Sequence, residues 1–292
     1  MKKIVVTGGS GGAGHYVIKD LLSQGYECVN LDVKTPVEAL CLFVELDMND
    51  YRAVHRALSG ADGLVHFAGN PHPDDEHFGA SDRFSNNTNS LFNAFNAARE
   101  NGIKRIVWAS SETIFGFPFE NCRPSEVPLT ETAPRQPQNG YALSKTISED
   151  LAVEMSKLYD MTIIGLRLSN VLYDDVEAVP SFQKIPGYWK DLEHRKFNLW
   201  GYIDARDAAR AVRLALEADL EGAEVFNIAA SNTLMKQPSR DLIQAVFPGV
   251  PVRAGLASHG AMLCCYKARR LLGWQPDVTW QDVLGGEGKT TS

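Results

Sequence analysis

A doubly wound parallel α/β sheet with a small C-terminal lobe is the fold class that this sequence predicts. Apolar runs of strand length alternate with helix-period segments from Ile4 to Asn170, and such alternation favours a parallel sheet covered by helices. The first strand, around Ile4, Val5 and Val6, runs straight into Thr7-Gly-Gly-Ser-Gly-Gly-Ala-Gly14, and a helix pattern follows. The second strand ends in an acid, Asp32, 18 residues beyond Gly14. At 292 residues the chain can bury one large core and carry an appended lobe. The expected division is a sheet domain over 1–170, helped by a helix and strand from about 204–230, then a lobe over 171–285 and a frayed tail over 286–292.

Composition narrows the class. A content of 44% hydrophobic and 22% charged residues is that of an ordinary globular chain. A formal charge of −7 argues against a nucleic-acid or anionic membrane surface, since both favour a Lys/Arg excess. The apolar run after Met1-Lys-Lys is too short for a signal-peptide core, and no run approaches the length of a membrane span. Five cysteines without metal-type spacing fit a reducing, cytoplasmic setting.

The glycine turn carries the first chemistry. Glycines at 8, 11 and 14, with Gly12 between them, allow a tight turn, close backbone approach to a pyrophosphate and tight helix–strand packing. The following helix, with Val17, Ile18, Leu21 and Leu22 on one face and Gly25 at its end, offers its N-terminal N–H groups to phosphates. Asp32 has the spacing expected of a carboxylate on an adenosine ribose. A carboxylate there repels a 2′-phosphate, which favours NAD over NADP. The sheet is therefore of the Rossmann type.

The elements that follow keep the alternation. Residues 40–47 read as a third strand, Asp50 as the N-cap of a helix through Leu58, and residues 63–69 as a fourth strand with His66 packed inside it. The His- and Asp-containing segment 70–77 reads as a solvated loop and a candidate substrate lid; its spacing supports no metal site. A helix over about 82–100 is expected to turn Phe84, Leu91, Phe92 and Phe95 inward, with Gly102 as its stop. One of Asn86, Asn87 and Asn89 is expected to brace the neighbouring strand, residues 105–109, which ends in Ser110 and Ser111. The proline-rich loop over 116–138 is long enough to expect a functional role. A sixth strand is expected over 161–170, and beyond it only a helix near 204–218, a strand near 224–229 and short closing elements.

Tyr141-Ala-Leu-Ser-Lys145 opens a helix after that loop, and positions four apart share a helix face. A phenol titrates near ~10, too high for a base at neutral pH. An ammonium about 4 Å away, at an effective dielectric of roughly 20, is worth about 4 kcal/mol, or up to ~3 pH units before desolvation. Tyr141 would then serve as a general acid/base on an alcohol or carbonyl.

Taken together, Thr7 to Gly14, Asp32, Asp47-Met48, Val65 to Gly69, Asn86 to Asn89, Ser110-Ser111, Tyr141-x-x-x-Lys145 and Arg167 to Asn170 resemble the extended short-chain dehydrogenases/reductases, the NAD-dependent epimerase/dehydratase family. The resemblance implies adenine contact at Asp47 and Met48, cofactor packing at Ala68 and Gly69, and a structural Asn87. It implies a catalytic Ser111, Tyr141 and Lys145, the last two also holding the cofactor, with Asn170 beside the substrate. Ser111 is preferred to Ser110 because it stands five before Gly116, the family's spacing. A homodimer through helices near 85–100 and 141–158 is implied as well.

Two departures bear on the substrate. Nucleotide-sugar epimerases place an Arg before the pair matching Tyr202-Ile203, where this chain has Trp200-Gly201, and they carry a longer segment between Asn170 and Asp204. The run from Ser110 to Pro118 is closer to the uronate-dehydrogenase branch, although that branch has Asn where this chain has Glu112. The expected function is NAD-dependent hydride transfer on a sugar, sugar acid or similar small polyol, with Ser111, Glu112 and Asn170 facing it. A sugar epimerase and a non-catalytic NAD-sensing protein are the alternatives.

Overall fold

The computed structural model describes residues 1–72, 79–174 and 181–285. In chain order the first elements are β1 (Lys3–Thr7), α1 (Gly12–Ser23), β2 (Glu27–Asp32), β3 (Leu42–Glu45), α2 (Tyr51–Ala57), β4 (Gly63–His66), α3 (Ala80–Glu100), β5 (Arg105–Ser111), α4 (Gly140–Tyr159) and β6 (Thr162–Leu168). They are followed by β7 (Val171–Leu172), α5 (Ile185–Tyr188), β8 (Ile203–Asp204), α6 (Ala205–Glu217), β9 (Ala223–Ile228), α7 (Ser239–Val246), α8 (Tyr266–Leu272) and α9 (Trp280–Gly285). Seven strands form one parallel sheet in the order β3-β2-β1-β4-β5-β6-β9. The order reverses between β1 and β4, and open α/β sheets bind ligands at such a point, beyond the carboxyl ends of the strands.

The residues group into two compact units. Unit 1 takes 1–111, 139–167 and 209–226. Its core joins Val5, Leu31, Leu64, Ile106 and Ile163 of the strands to Leu91 and Phe95 of α3 and Ala152 and Met155 of α4. Trp108 is fully buried there and meets Phe95 edge to face at 6.2 Å. Capping follows local chemistry: Asp50 accepts the Ala53 N–H at the start of α2, and Asn139 accepts the Ala142 N–H at the start of α4. Gly25 and Gly102 follow the ends of α1 and α3 in the left-handed region, at φ +83° and +74°.

One inward side chain was misassigned by periodicity. Phe92 is 47% exposed, while Leu91 and Phe95 are buried. The last two stand four apart and share the core face, and a residue one step from Leu91 is turned about 100° away from it.

Unit 2 takes 112–138, 168–208 and 227–292. Residues 116–138 do not run free. Val127 and Leu129 form parallel bridges with Val252 and Leu263, and the Leu129 and Cys264 N–H groups donate to Met262 and Leu129 carbonyls. One core gathers Phe115, Phe117, Phe119, Trp200, Phe247 and Met262, and a second gathers Leu172, Phe182, Tyr202, Leu234 and Trp280. The final helix α9, not anticipated from the sequence, is tied in by the Trp280 N–H on the Tyr202 hydroxyl at 2.9 Å. The expected tail, 286–292, and most of the expected 70–77 lid lie outside the described residues. Among the described residues no helix is long and apolar enough to cross a membrane.

Candidate active site

The glycine turn is built as its spacing requires. Gly8 sits at φ +72°, and a Cβ there would lie 2.6 Å from the Ala68 nitrogen, so the ends of β1 and β4 approach as bare backbone. A Cβ on Gly14 would lie 2.2 Å from the Gly8 carbonyl oxygen, which fixes how closely α1 rests on the turn. Gly11 caps α1 without a side-chain bond, and Gly12 is its first residue. The first-turn N–H groups of a helix have no intrahelical partners, so this end suits a pyrophosphate. Asp32 lies beside it: its carboxylate accepts the Ser10 N–H and the Lys34 N–H, both at 3.0 Å.

Further along the strand ends, the Asp47 carboxylate accepts from the Asn49 main chain and side chain at 2.8 and 3.0 Å. Met48 packs its side chain into the core and offers its carbonyl to Asn93 at 2.9 Å. The Ala68 N–H donates to the Thr7 hydroxyl, which meets His66 Nδ1 at 2.8 Å. Which of the two donates depends on the tautomer of the ring. Burial, reinforced by the positive charge of Lys145, pushes His66 down to about 3. Its folded value lies below the unfolded value near 6.5, so stability is lost as pH falls from about 6.5 towards 3. His66→Gln, which keeps an acceptor for Thr7, is expected to remove most of that acid sensitivity in urea titrations between pH 3 and 7.

The asparagine brace acts on a different strand end from the one expected. Asn87 accepts the Asn70 N–H at 2.8 Å and donates to the Asn70 carbonyl at 3.1 Å. It therefore pins the backbone beyond β4, next to Gly69 at φ +151°, and not the strand that carries the serines.

The centre of unit 1 lies where α4 crosses the end of β5. The Lys145 ammonium donates to the Ala109 carbonyl at 2.7 Å, and lies 5.7 Å from the centroid of the Trp108 ring and 5.5 Å from that of Tyr141. Tyr141 and Lys145 thus meet each other at the strand end that carries Ser111, which is itself buried. Burial pushes Lys145 down to about 8 against the opposing pull of Glu149, which leaves the amine mostly charged at neutral pH. Ser110 is engaged elsewhere: its hydroxyl donates to Glu149 at 2.7 Å. Arg167 makes a two-pronged pair with the same carboxylate, 2.8 Å on each side, with the two side chains 3% and 5% exposed. Arg167 is therefore a buried structural cation.

Unit 2 holds Glu112 and Asn170 together. The Asn170 N–H donates to Glu112 Oε1 at 3.2 Å, and Glu112 is only 4% exposed. Burial pushes its carboxyl up to about 8; Ser169, Arg195 and Asn198 lie close enough to oppose the shift, yet Oε2 has no hydrogen bond of good geometry. Several neighbours are in the same state: Ser169 Oγ, Asn170 Nδ2, Asn198 Oδ1, and Nε and Nη2 of Arg195 are buried without partners. Buried polar atoms are rarely left so. Gly201 adjoins the group, where a Cβ would lie 2.8 Å from Ser169 Oγ and 3.6 Å from Glu112 Oε2. Sequence reasoning missed Ser169, Arg195 and Asn198. The last two lie in a stretch of mixed charge and aromatics without periodicity, and the Arg195 guanidinium lies over the rings of Tyr188 and Phe197 at 5.2 and 4.7 Å.

With this geometry in view, known proteins resolve the family. The profile of the NAD dependent epimerase/dehydratase family matches residues 4–229. The chain belongs to the NAD-dependent epimerase/dehydratase family. It is 28% identical to a UDP-glucose 4-epimerase of Lacticaseibacillus casei over 94% of this chain and 92% of that protein. It is 29% identical to a uronate dehydrogenase of Pseudomonas putida over 58% of this chain and 60% of that one. Among solved structures, the UDP-glucose 4-epimerase of Thermotoga maritima, crystallised with UDP-glucose, superposes with a TM-score of 0.74 at 23% identity, over 97% of this chain and 96% of that one. That likeness bears on the fold, and the fold agrees with the doubly wound sheet expected from the sequence.

Proposed function

We propose that this family member transfers hydride between NAD and a sugar, sugar acid or similar small polyol. The observation that carries the reading is the Lys145 ammonium, held by the Ala109 carbonyl and lying within cation–π range of the Tyr141 ring. The glycine turn fits NAD, because side chains at Gly8 and Gly14 would fill the space that its backbone closes. Gly8, Gly11, Gly12 and Gly14 would cradle the pyrophosphate, Asp32 would take the adenosine ribose, and Asp47, Met48, Ala68 and Gly69 would line the rest, with Asn87 bracing Gly69. Bound NAD supplies the hydride acceptor. Tyr141 takes the substrate hydroxyl proton, Lys145 favours the phenolate and holds the nicotinamide ribose, and Ser111 orients the reacting oxygen. Glu112 and Asn170 belong to the substrate side.

A free sugar is favoured over a nucleotide sugar because Trp200 and Gly201 stand where an epimerase has its diphosphate-gripping Arg. Trp200 is spent on the core, its indole N–H bound to the Leu192 carbonyl at 2.8 Å. The second reading, a sugar epimerase, is favoured by the near full-length match to the Lacticaseibacillus casei enzyme. Exposed Phe92, Leu143, Ile147 and Leu158 on α3 and α4 support a homodimer through those helices. The five free cysteines support a reducing, cytoplasmic setting.

Free sugars, uronates and nucleotide sugars incubated with NAD discriminate the readings. Net NADH, read by its absorbance, is the expected result with a free sugar or sugar acid. Isomer exchange without net NADH would transfer the assignment to an epimerase. NAD binding without either reaction would leave only a sensor.

A further inference from the structure

Tyr141, Lys145 and Glu149 follow one another at intervals of four on α4, so they share one face of the helix. Two successive residues of β5 grip the last two of them. The Ala109 carbonyl accepts from Lys145, and the Ser110 hydroxyl donates to Glu149. Arg167 of β6 then closes on the Glu149 carboxylate from the other side with two hydrogen bonds. Glu149 is thereby held by three charge-assisted bonds in the interior, one helical turn beyond the amine. A buried ion pair is weak evidence of stabilisation, because burying it costs about as much as the attraction returns. Its position on the face of the proposed acid/base pair calls for another reason.

We infer that Glu149 is a positioning residue for Lys145, anchoring α4 on the end of β5 and setting a fixed negative charge that keeps the amine protonated at its buried position. The inference rests on the proposed acid/base role of Tyr141 and Lys145, and goes beyond it by assigning the third residue of that helix face. The charged and titratable groups around the amine fit the assignment. Tyr141 and Glu149 face it from its own helix. His66 of β4 is near enough to feel its charge and is neutral, so it adds no repulsion. Arg167 of β6 is engaged bidentately by Glu149. Burial depresses the amine and Glu149 is the group that opposes it.

The test follows the proton on Lys145 directly, without substrate or NAD. Protein enriched with 13C in its lysine ε-carbons is titrated by NMR, and the signal lost in Lys145→Arg identifies the residue. The wild-type midpoint is expected near 8. Glu149→Gln alone leaves Arg167 buried without its partner and is expected to fold poorly. The decisive variant is therefore the double substitution Glu149→Gln with Arg167→Met, which removes both charges together. Its Lys145 midpoint is expected to fall, because the Glu149 charge is the one that acts on the amine, and Glu149→Asp, which keeps that charge, is expected to hold the midpoint near the wild-type value. A midpoint unchanged in the double variant, or lowered as far in Glu149→Asp, overturns the inference. Failure of the wild-type protein to turn over any sugar would overturn the proposed reaction and leave this readout intact.

Discussion

Tyr141→Phe is expected to lower the turnover number of the NAD-dependent reaction by about 100- to 10,000-fold, the usual range for loss of a general acid/base. NAD affinity is expected to change by less than about twofold, since the pyrophosphate and ribose contacts are assigned to the glycine turn and Asp32. The substitution is clean for a structural reason. Phenylalanine keeps the ring that lies 5.5 Å from the Lys145 ammonium and removes only the hydroxyl. Initial rates on the best substrate of the sugar screen, with a fluorescence titration of NADH, separate the two quantities. A variant that kept most of its turnover would remove Tyr141 from the chemistry altogether.

Glu112→Gln is expected to stabilise the protein above neutral pH. In the folded chain the carboxyl holds its proton up to about 8, whereas in the unfolded chain it releases it near 4.5. Between those values the folded state binds a proton that the unfolded state has given up, so wild-type stability falls as pH rises through this window. At about 1.36 kcal/mol per unit, the full difference is on the order of 4 to 5 kcal/mol. The glutamine is neutral at every pH, retains an oxygen for the Asn170 N–H and offers N–H donors near the unpartnered Asn198 oxygen. Urea unfolding at pH 4, 6 and 8 should give coincident stabilities at the lowest pH and a growing advantage for the variant above it. Parallel curves would show that Glu112 ionises normally in the fold.

Much of unit 1 was legible because its signals are local. The Gly8 and Gly14 contacts follow from a turn that only glycine fits, and α4 begins one residue before Tyr141 because Asn139 caps it. What escaped depends on partners far away in sequence. Nothing near Asn87 says that its amide clamps Asn70, and nothing near Phe92 distinguishes an apolar residue turned outward from one turned in. The Arg167 side chain takes its place from a carboxylate on another element, Glu149. Ser169, Arg195 and Asn198 are harder still: each is ordinary in its own segment, and only the folded lobe sets them around Glu112.

The way the two units are stitched from separate stretches of chain bears on how the polypeptide is made. Residues 209–226 belong to unit 1, and β9, which they supply in part, pairs with β6 on its outer side. A nascent chain that has left the ribosome only as far as Asn170 would carry β6 as a bare border, with a row of backbone groups ready to recruit another molecule. Completion of the sheet waits for about sixty further residues to emerge, so a fragment ending near position 170 is a poor choice for expression, however natural that boundary looks on paper.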